Sequence, residues 1–288
     1  MQSDVLAMDD PVLLFGGPYS NLQATEALLK EAARLGVPPG RVVCTGDVVA
    51  YCGDPSATAD TVRAAGIRVV MGNCEESLGE AAPDCACGFA AGSACDRMTA
   101  EWYAHANRSL AEPARAWMRA LPRRLDIVVG GRRLAVIHGS VSRINRFVFA
   151  STPAAEKRAE IDLAGTDGVI GGHCGLPFTQ MIGGGLWHNP GAIGLPANDG
   201  TPRAWFSLLT PERGGIRIEH RALDYDHRAA AAAMRANGLS GGYADALETG
   251  LWPSCDVLPP AAIAARGEPL VPGTVWWANP PNGLAAWP

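Results

Sequence analysis

The sequence predicts an α/β fold: a parallel sheet with covered faces, and a second sheet packed on it from a β-rich second half. Three observations carry this. Up to about Met71, short apolar runs alternate with amphipathic stretches, the pattern of a parallel sheet with helices on its faces. From Leu125 to Arg221, short strand-like segments are separated by turn residues. Polar residues in Gly-containing loops fall at the ends of the apolar runs, where such sheets hold their ligands.

In chain order, Val12–Phe15 is an apolar run closed by Gly16-Gly17-Pro18, which reads as a buried strand and a turn. Residues 21–35 place Leu22, Ala24, Ala27, Leu28, Ala32 and Leu35 at helical spacing, and Gly36 and Pro38 stop the helix. Residues 41–45 form the next buried strand, with Gly46-Asp47 at its C-terminal end. Residues 55–65 fit a helix, and residues 67–71 a third strand that runs into Gly72-Asn73. One long helix is expected over residues 99–121, with Trp102, Ala106, Leu110, Trp117 and Leu121 inward. Two strands joined by Gly130-Gly131 follow, then short strands near residues 168–171, 179–182, 186–189, 203–209 and 215–221. Residues 226–237 form an Ala-rich helix. Beyond Gly241 periodicity is lost and Pro accumulates. The expected division is therefore a domain over residues 10–225, and a helix plus Pro- and Trp-rich extension over 226–288 packed on it. Trp252, Trp276, Trp277 and Trp287 read as packing anchors, with a partner surface as the alternative.

A chain of 288 residues that is 48% apolar can bury a sizeable core. Its formal net charge of −5 offers no basic field to nucleic acid or to an anionic membrane. No apolar run approaches the roughly 18 residues a membrane helix needs. Met1–Pro11 carries Asp4, Asp9 and Asp10 without a basic or apolar leader region, so no secretory signal is expected and the expected compartment is the cytoplasm. Eight cysteines in a chain this long do not resemble a secreted disulfide scaffold.

The polar segments at the strand ends are Gly46-Asp47, Gly72-Asn73-Cys74-Glu75, His138-Gly139-Ser140, Gly172-His173-Cys174-Gly175 and Asn189-Pro190-Gly191. In this order they resemble the calcineurin-like metallophosphoesterase family, whose motifs run D-x-H, G-D, G-N-H-D/E, H-G, G-H-x-H and N-P-G. The resemblance extends from about Val12 to about Leu209. It implies a four-layer α/β/β/α sandwich of two mixed sheets.

The family's two metals share one bridging Asp. Carried over residue by residue, the ligands of one metal are present: Asp47, Asn73, His138 and His173. The private ligands of the other metal correspond to Gly17, Tyr19 and Gly175, and all are lost. The resemblance thus implies a single divalent transition metal. Two imidazoles, a carboxylate and an amide oxygen suit Mn²⁺, Fe²⁺ or Zn²⁺ better than Mg²⁺ or Ca²⁺. The alternative is four unrelated polar residues at strand ends.

Cys74 stands where the family carries a catalytic His, and Glu75 keeps the acidic partner, so these two are the expected catalytic positions. A thiol is a poor substitute for an imidazole acid, but a thiolate is a nucleophile or ligand. Cys52, Cys74, Cys85, Cys87, Cys95 and Cys174 lie on or near the motifs at no standard metal spacing. Small buried residues, a metal or redox site, and a disulfide are the open readings. Arg143 and Arg146 offer a phosphate clamp or solvated surface charge, and His188 a pocket or a packing role.

The function implied is a metal-dependent phosphoesterase acting on a small phosphorylated molecule. A pseudo-phosphatase that binds or regulates, and a metal–thiol enzyme of other chemistry, are the alternatives. No protein partner is legible.

Overall fold

The computed structural model of the protein describes residues 5–239 and 242–279. Asp4 and Trp287 lie outside the described residues. Among the described residues twelve strands form two six-stranded sheets, both mixed.

Sheet one contains β1 (Val5–Met8), β5 (Leu125–Val129), β6 (Arg132–Val136), β7 (Gly168–Ile170), β9 (Gly185–Asn189) and β8 (Phe178–Ile182), in that spatial order. Sheet two contains β12 (Gly273–Ala278), β11 (Gly215–Leu223), β10 (Ala204–Glu212), β2 (Val12–Phe15), β3 (Val42–Cys44) and β4 (Arg68–Val69). The helices are α1 (Leu22–Arg34), α2 (Pro55–Ala64), α3 (Asn73–Gly79), α4 (Ala94–Ser109), α5 (Glu112–Ala120), α6 (Ala154–Ala164), α7 (His227–Ala236), α8 (Tyr243–Thr249) and α9 (Pro260–Ala264).

Strand alternation explains the layers. Val12 and Leu14 point with Val43 into a core shared with Ile127, Leu134 and Val136 of the other sheet. Leu13, Phe15, Val42 and Cys44 point the opposite way, onto α1, α2 and their neighbours. On the far side, Ala135, Val169 and Trp187 of sheet one pack on Ile161 and Ala164 of α6. The order is helices, sheet two, sheet one, helix: the α/β/β/α sandwich.

Three details depart from the sequence expectation. The strands of the second half do not all form a separate sheet, because β10 pairs antiparallel with β2 and extends the N-terminal sheet. The single helix expected over 99–121 is two helices, α4 and α5. Pro113 has no N–H to give the Ser109 carbonyl, and its ring would strike it. That carbonyl instead accepts from Ser56 Oγ at 2.6 Å. Beyond Gly241, β12 pairs antiparallel with β11, and Trp277 is buried between the sheets while Trp276 is exposed. β1, α3, α6, α8 and α9 also lack an expected counterpart. Gly130-Gly131 does close the β5–β6 hairpin, both at positive φ. Among the described residues no helix is long and apolar enough to cross a membrane.

Candidate metal centre

The four expected ligands meet at one point between the sheets. Asp47 follows β3 and Asn73 follows β4 in sheet two, while His138 follows β6 and His173 follows β7 in sheet one. Each therefore leaves the C-terminal end of a strand that has a parallel neighbour.

His138 Nε2 lies 3.0 Å from His173 Nδ1, 3.1 Å from Asn73 Oδ1 and 3.2 Å from Asp47 Oδ2. His173 Nδ1 is 3.9 Å from the same carboxylate oxygen. Atoms bound to one ion at ~2.1 Å lie about 3.0–3.4 Å apart when neighbouring and up to ~4.2 Å when opposite, so these separations fit a single coordination sphere.

The donor set is as telling as the distances. His138 Nδ1 is 2.7 Å from the Thr45 carbonyl, which can only accept, so Nδ1 carries the proton and Nε2 a lone pair. Asn73 Nδ2 donates to the Cys85 carbonyl at 2.9 Å, which turns Oδ1 toward His138. In the neutral imidazole, then, a lone pair faces a carboxylate oxygen and an amide oxygen, all buried. Only a proton on His173 Nδ1 or a second proton on His138 could supply hydrogen here, and a cation removes the conflict for all four side chains at once. Asp47, His138 and His173 form a group able to hold a metal ion, and no cysteine joins them among the described residues.

Electrostatics follow the same contacts. Burial would raise the Asp47 carboxyl, but His138 and His173 outweigh it and hold it below the usual range. Burial would lower His138, and the charge and hydrogen bonds of Asp47 reverse that. His173 is lowered by burial, with the neighbouring His138 adding to it.

The local backbone is bent to build this point. Asp47, His173 and Tyr19 all have positive φ, an uncommon and strained state for residues with side chains. Gly72 is required for clearance, because a Cβ there would overlap Asp47 Oδ1.

Glu75 lies behind the centre. Its oxygens accept from the backbone N–H groups of Asp47 at 2.7 Å, Val48 at 2.8 Å, Gly72 at 3.0 Å and Val49 at 3.3 Å. Burial and the charge of Asp47 push its carboxyl up to about 7 against the pull of these donors. Its geometry is that of a residue that ties the Asp47 loop to the start of α3.

Cys74 is buried beside Asp47, to whose Oδ1 its backbone N–H donates at 3.2 Å. Burial and the charges of Asp47 and Glu75 push the thiol well up, so the side chain is the neutral thiol and not a ready thiolate. Cys52, Cys95 and Cys174 are free and buried, and Cys85 is joined to Cys87 by a disulfide. The Cys85–Cys87 turn holds Asn73 through the Cys85 carbonyl.

The lost ligand positions surround one side chain. The Tyr19 ring lies over Gly17, where a Cβ would overlap it, and its hydroxyl sits beside Gly175. Burial, then the charge of Asp47, keeps the phenol protonated. Sequence reasoning marked Tyr19 as an absent ligand and missed that its ring occupies the space. The Thr45 carbonyl, which orients His138, was also missed, and a backbone group leaves no side-chain signal. Arg146 is tied to Glu156 and Glu160, and Arg143 is exposed; neither lines the cavity beside the centre. His188 is fully buried in a hydroxyl network away from the ligand atoms.

Comparisons with known proteins agree with this geometry. The solved structure of a hypothetical protein from Pyrococcus horikoshii aligns over 86% of this chain and 99% of that chain, with a TM-score of 0.69 and 16% identity. A metallophosphoesterase from Sphaerobacter thermophilus aligns over 85% of this chain and 100% of its own, with a TM-score of 0.65 and 21% identity. At such identities these likenesses show the fold alone. No curated protein matches the chain at a significant level. The family model described as the calcineurin-like phosphoesterase superfamily domain matches residues 19–212, most of the chain. With its fold and its Asp–His–His cluster in place, the chain belongs to the calcineurin-like phosphoesterase superfamily.

Proposed function

We propose that the protein is a metal-dependent phosphoesterase with a mononuclear centre. Asp47, Asn73, His138 and His173 hold one Mn²⁺, Fe²⁺ or Zn²⁺, and the substrate is a phosphoric ester or diphosphate of a small molecule. The observation that carries this is the focus of lone-pair atoms within 3.2 Å of His138 Nε2. The single-ion reading is supported by Tyr19, whose ring fills the space framed by Gly17 and Gly175.

A bound ion supplies Lewis-acid stabilisation of charge developing on a phosphoryl oxygen and makes a nearby water more acidic. The chain's own residues do the rest. The Thr45 carbonyl fixes the His138 tautomer, and Glu75 fixes the loop that carries Asp47. The Tyr19 hydroxyl is a neutral donor at the mouth of the centre, able to hydrogen-bond a substrate oxygen. Cys74 offers no imidazole to a leaving group, so kcat on a generic aryl phosphate is low.

Elemental analysis of protein purified without added metal tests this reading. The expected result is one equivalent of Mn, Fe or Zn per chain, with slow hydrolysis that disappears on chelation and in His173→Ala. Two equivalents, or turnover as fast as that of two-metal enzymes, would refute the mononuclear centre. No bound metal and no hydrolysis after metal addition would leave a binding protein instead.

A further inference from the structure

The Cys85–Cys87 disulfide takes no part in the chemistry proposed above, yet it stands against the metal centre. It closes a small ring around Ala86, in a segment between α3 and α4 that has no helix or strand. Asn73 Nδ2 donates to the Cys85 carbonyl at 2.9 Å and lies 3.5 Å from Cys87 Sγ. With its amide nitrogen spent on this turn, Asn73 turns Oδ1 to the focus, 3.1 Å from His138 Nε2. Two residues beyond Cys87, Phe89 stacks on Phe147 at 6.0 Å, and Phe147 covers the His173 imidazole at 4.1 Å. The loop thus reaches one ligand directly and a second through Phe147.

The orientation of Asn73 is a choice between two states. Turned over, its NH₂ would donate to the His138 Nε2 lone pair, and the focus would lose an oxygen ligand. The Cys85 carbonyl selects the metal-binding state. That carbonyl is held in place by the covalent ring. Ala86 has a φ of 48°, in the left-handed region that residues with side chains seldom adopt. Asp84 Oδ1 accepts from the Ala86 N–H and Asn145 Nδ2 donates to the Ala86 carbonyl, both at 2.9 Å. Those two side chains brace Ala86, and the disulfide carries the constraint across to Cys85. Asp84, Ala86 and Gly88 are exposed, with the two cysteines buried between them, so the bond lies just beneath the surface.

We propose that Cys85 and Cys87 form a redox-active pair that sets the metal affinity of the centre: the disulfide holds Asn73 Oδ1 toward the ion, and the dithiol releases it. This role rests on the metal centre proposed above and not on phosphoester hydrolysis. The reductant is a dithiol. One of its thiolates attacks a sulfur of the pair, the S–S bond breaks, and a mixed disulfide forms. Its second thiolate then closes on the first and expels the protein sulfur. Two electrons and two protons pass to Cys85 and Cys87, and the reductant leaves as a disulfide.

Thiol titration of the unfolded chain, handled without reductant, should count six thiols, and eight after reduction. Competition with a fluorescent chelator for Mn²⁺ then compares oxidised protein with protein reduced by a phosphine that is removed before titration. The reduced protein should bind about tenfold more weakly, the effect of losing a group that orients a ligand. The double variant Cys85→Ser, Cys87→Ser should match the reduced form and ignore reductant. Asn73→Ala should bind weakly and equally in both states, whereas general loosening of the loop would still weaken it on reduction. Eight thiols before reduction, equal or tighter Mn²⁺ binding after it, or a redox response retained in Asn73→Ala would overturn this role and leave the metal centre standing. No binding by either form of the wild type would overturn both.

Discussion

Two histidine pairs, one buried and one largely so, sit at nearly equal separation in this molecule. The rings of His138 and His173 are 4.9 Å apart and those of His188 and His220 are 5.1 Å apart. What differs is the supply of hydrogen. Around His188 and His220 the partners are hydroxyls. Thr179 Oγ1 lies 2.8 Å from both rings, and Ser207 Oγ lies 2.7 Å from His188 Nε2. A consistent chain of donors runs from His220 through Thr179 and His188 to Ser207, with both imidazoles neutral and only His220 Nδ1 left over. Around His138 and His173 the partners at the focus are a carboxylate and an amide oxygen, which cannot donate. A histidine pair that completes its own hydrogen bonds is structure. A pair whose lone pairs are aimed together calls for a cation.

The comparison breaks most readily at His173. His173→Ala should weaken metal binding by roughly 100-fold or more, since even groups that only support a ligand are worth 10- to 100-fold. His188→Ala should leave metal content unchanged and instead cost stability, by about 2–4 kcal/mol for a buried ring and two hydrogen bonds. Elemental analysis and urea unfolding of the two variants separate these outcomes. Loss of metal from His188→Ala would erase the distinction.

Acid should strike the second pair in a defined window. Burial lowers His220 to about 4, and lowers His188 further with His220 adding to it. Their folded values lie below the unfolded value near 6.5, so the unfolded chain takes up protons first as pH falls. Stability is complete above about pH 6.5 and is lost progressively toward pH 4, by roughly 2–3 kcal/mol from His220 alone. Chelated protein should show this in its urea midpoints, and His220→Gln should flatten the slope. An unchanged slope would mean that these rings are protonated in the fold.

Glu75→Gln sharpens the picture of the first pair. It removes the carboxylate that accepts four backbone N–H groups without touching a ligand atom. Metal affinity should fall about tenfold with kcat in saturating metal little changed. A collapse of kcat at full metal occupancy would instead place Glu75 in the chemistry. The smallest effect is expected from Cys74→Ser: unchanged metal content and a stability change within about 1 kcal/mol. A changed metal identity or stoichiometry would return Cys74 to the ligand set.

Much of the frame was legible because its elements announce themselves locally. Asn21 caps α1 through Ala24 N–H at 3.0 Å, and the all-apolar runs became buried strands. The convergence of Asp47, Asn73, His138 and His173 was legible because they stand in order at strand ends. What stayed hidden depends on partners distant in sequence. β12 is exposed over most of its length, and nothing in Trp276-Trp277 names β11 as its neighbour. The cavity beside the centre gathers Tyr51, Phe147, Tyr243 and Trp252 from four separate segments, so no spacing in the chain reveals it. Glu75 stands at the acidic position of the G-N-H-D/E motif, but the backbone N–H groups that its oxygens accept from could not be read from the chain.

One feature of the centre reaches beyond chemistry. Two of its side chains belong to one sheet and two to the other, so an ion held there ties the halves of the sandwich across their shared core. Binding to the folded state alone adds about RT ln(1 + [M]/Kd) to its stability, or roughly 2.7 kcal/mol at a hundredfold excess over Kd. With such an ion bound, the protein's resistance to unfolding would be set partly by how much metal surrounds it, and starving it of metal would weaken the seam between the sheets.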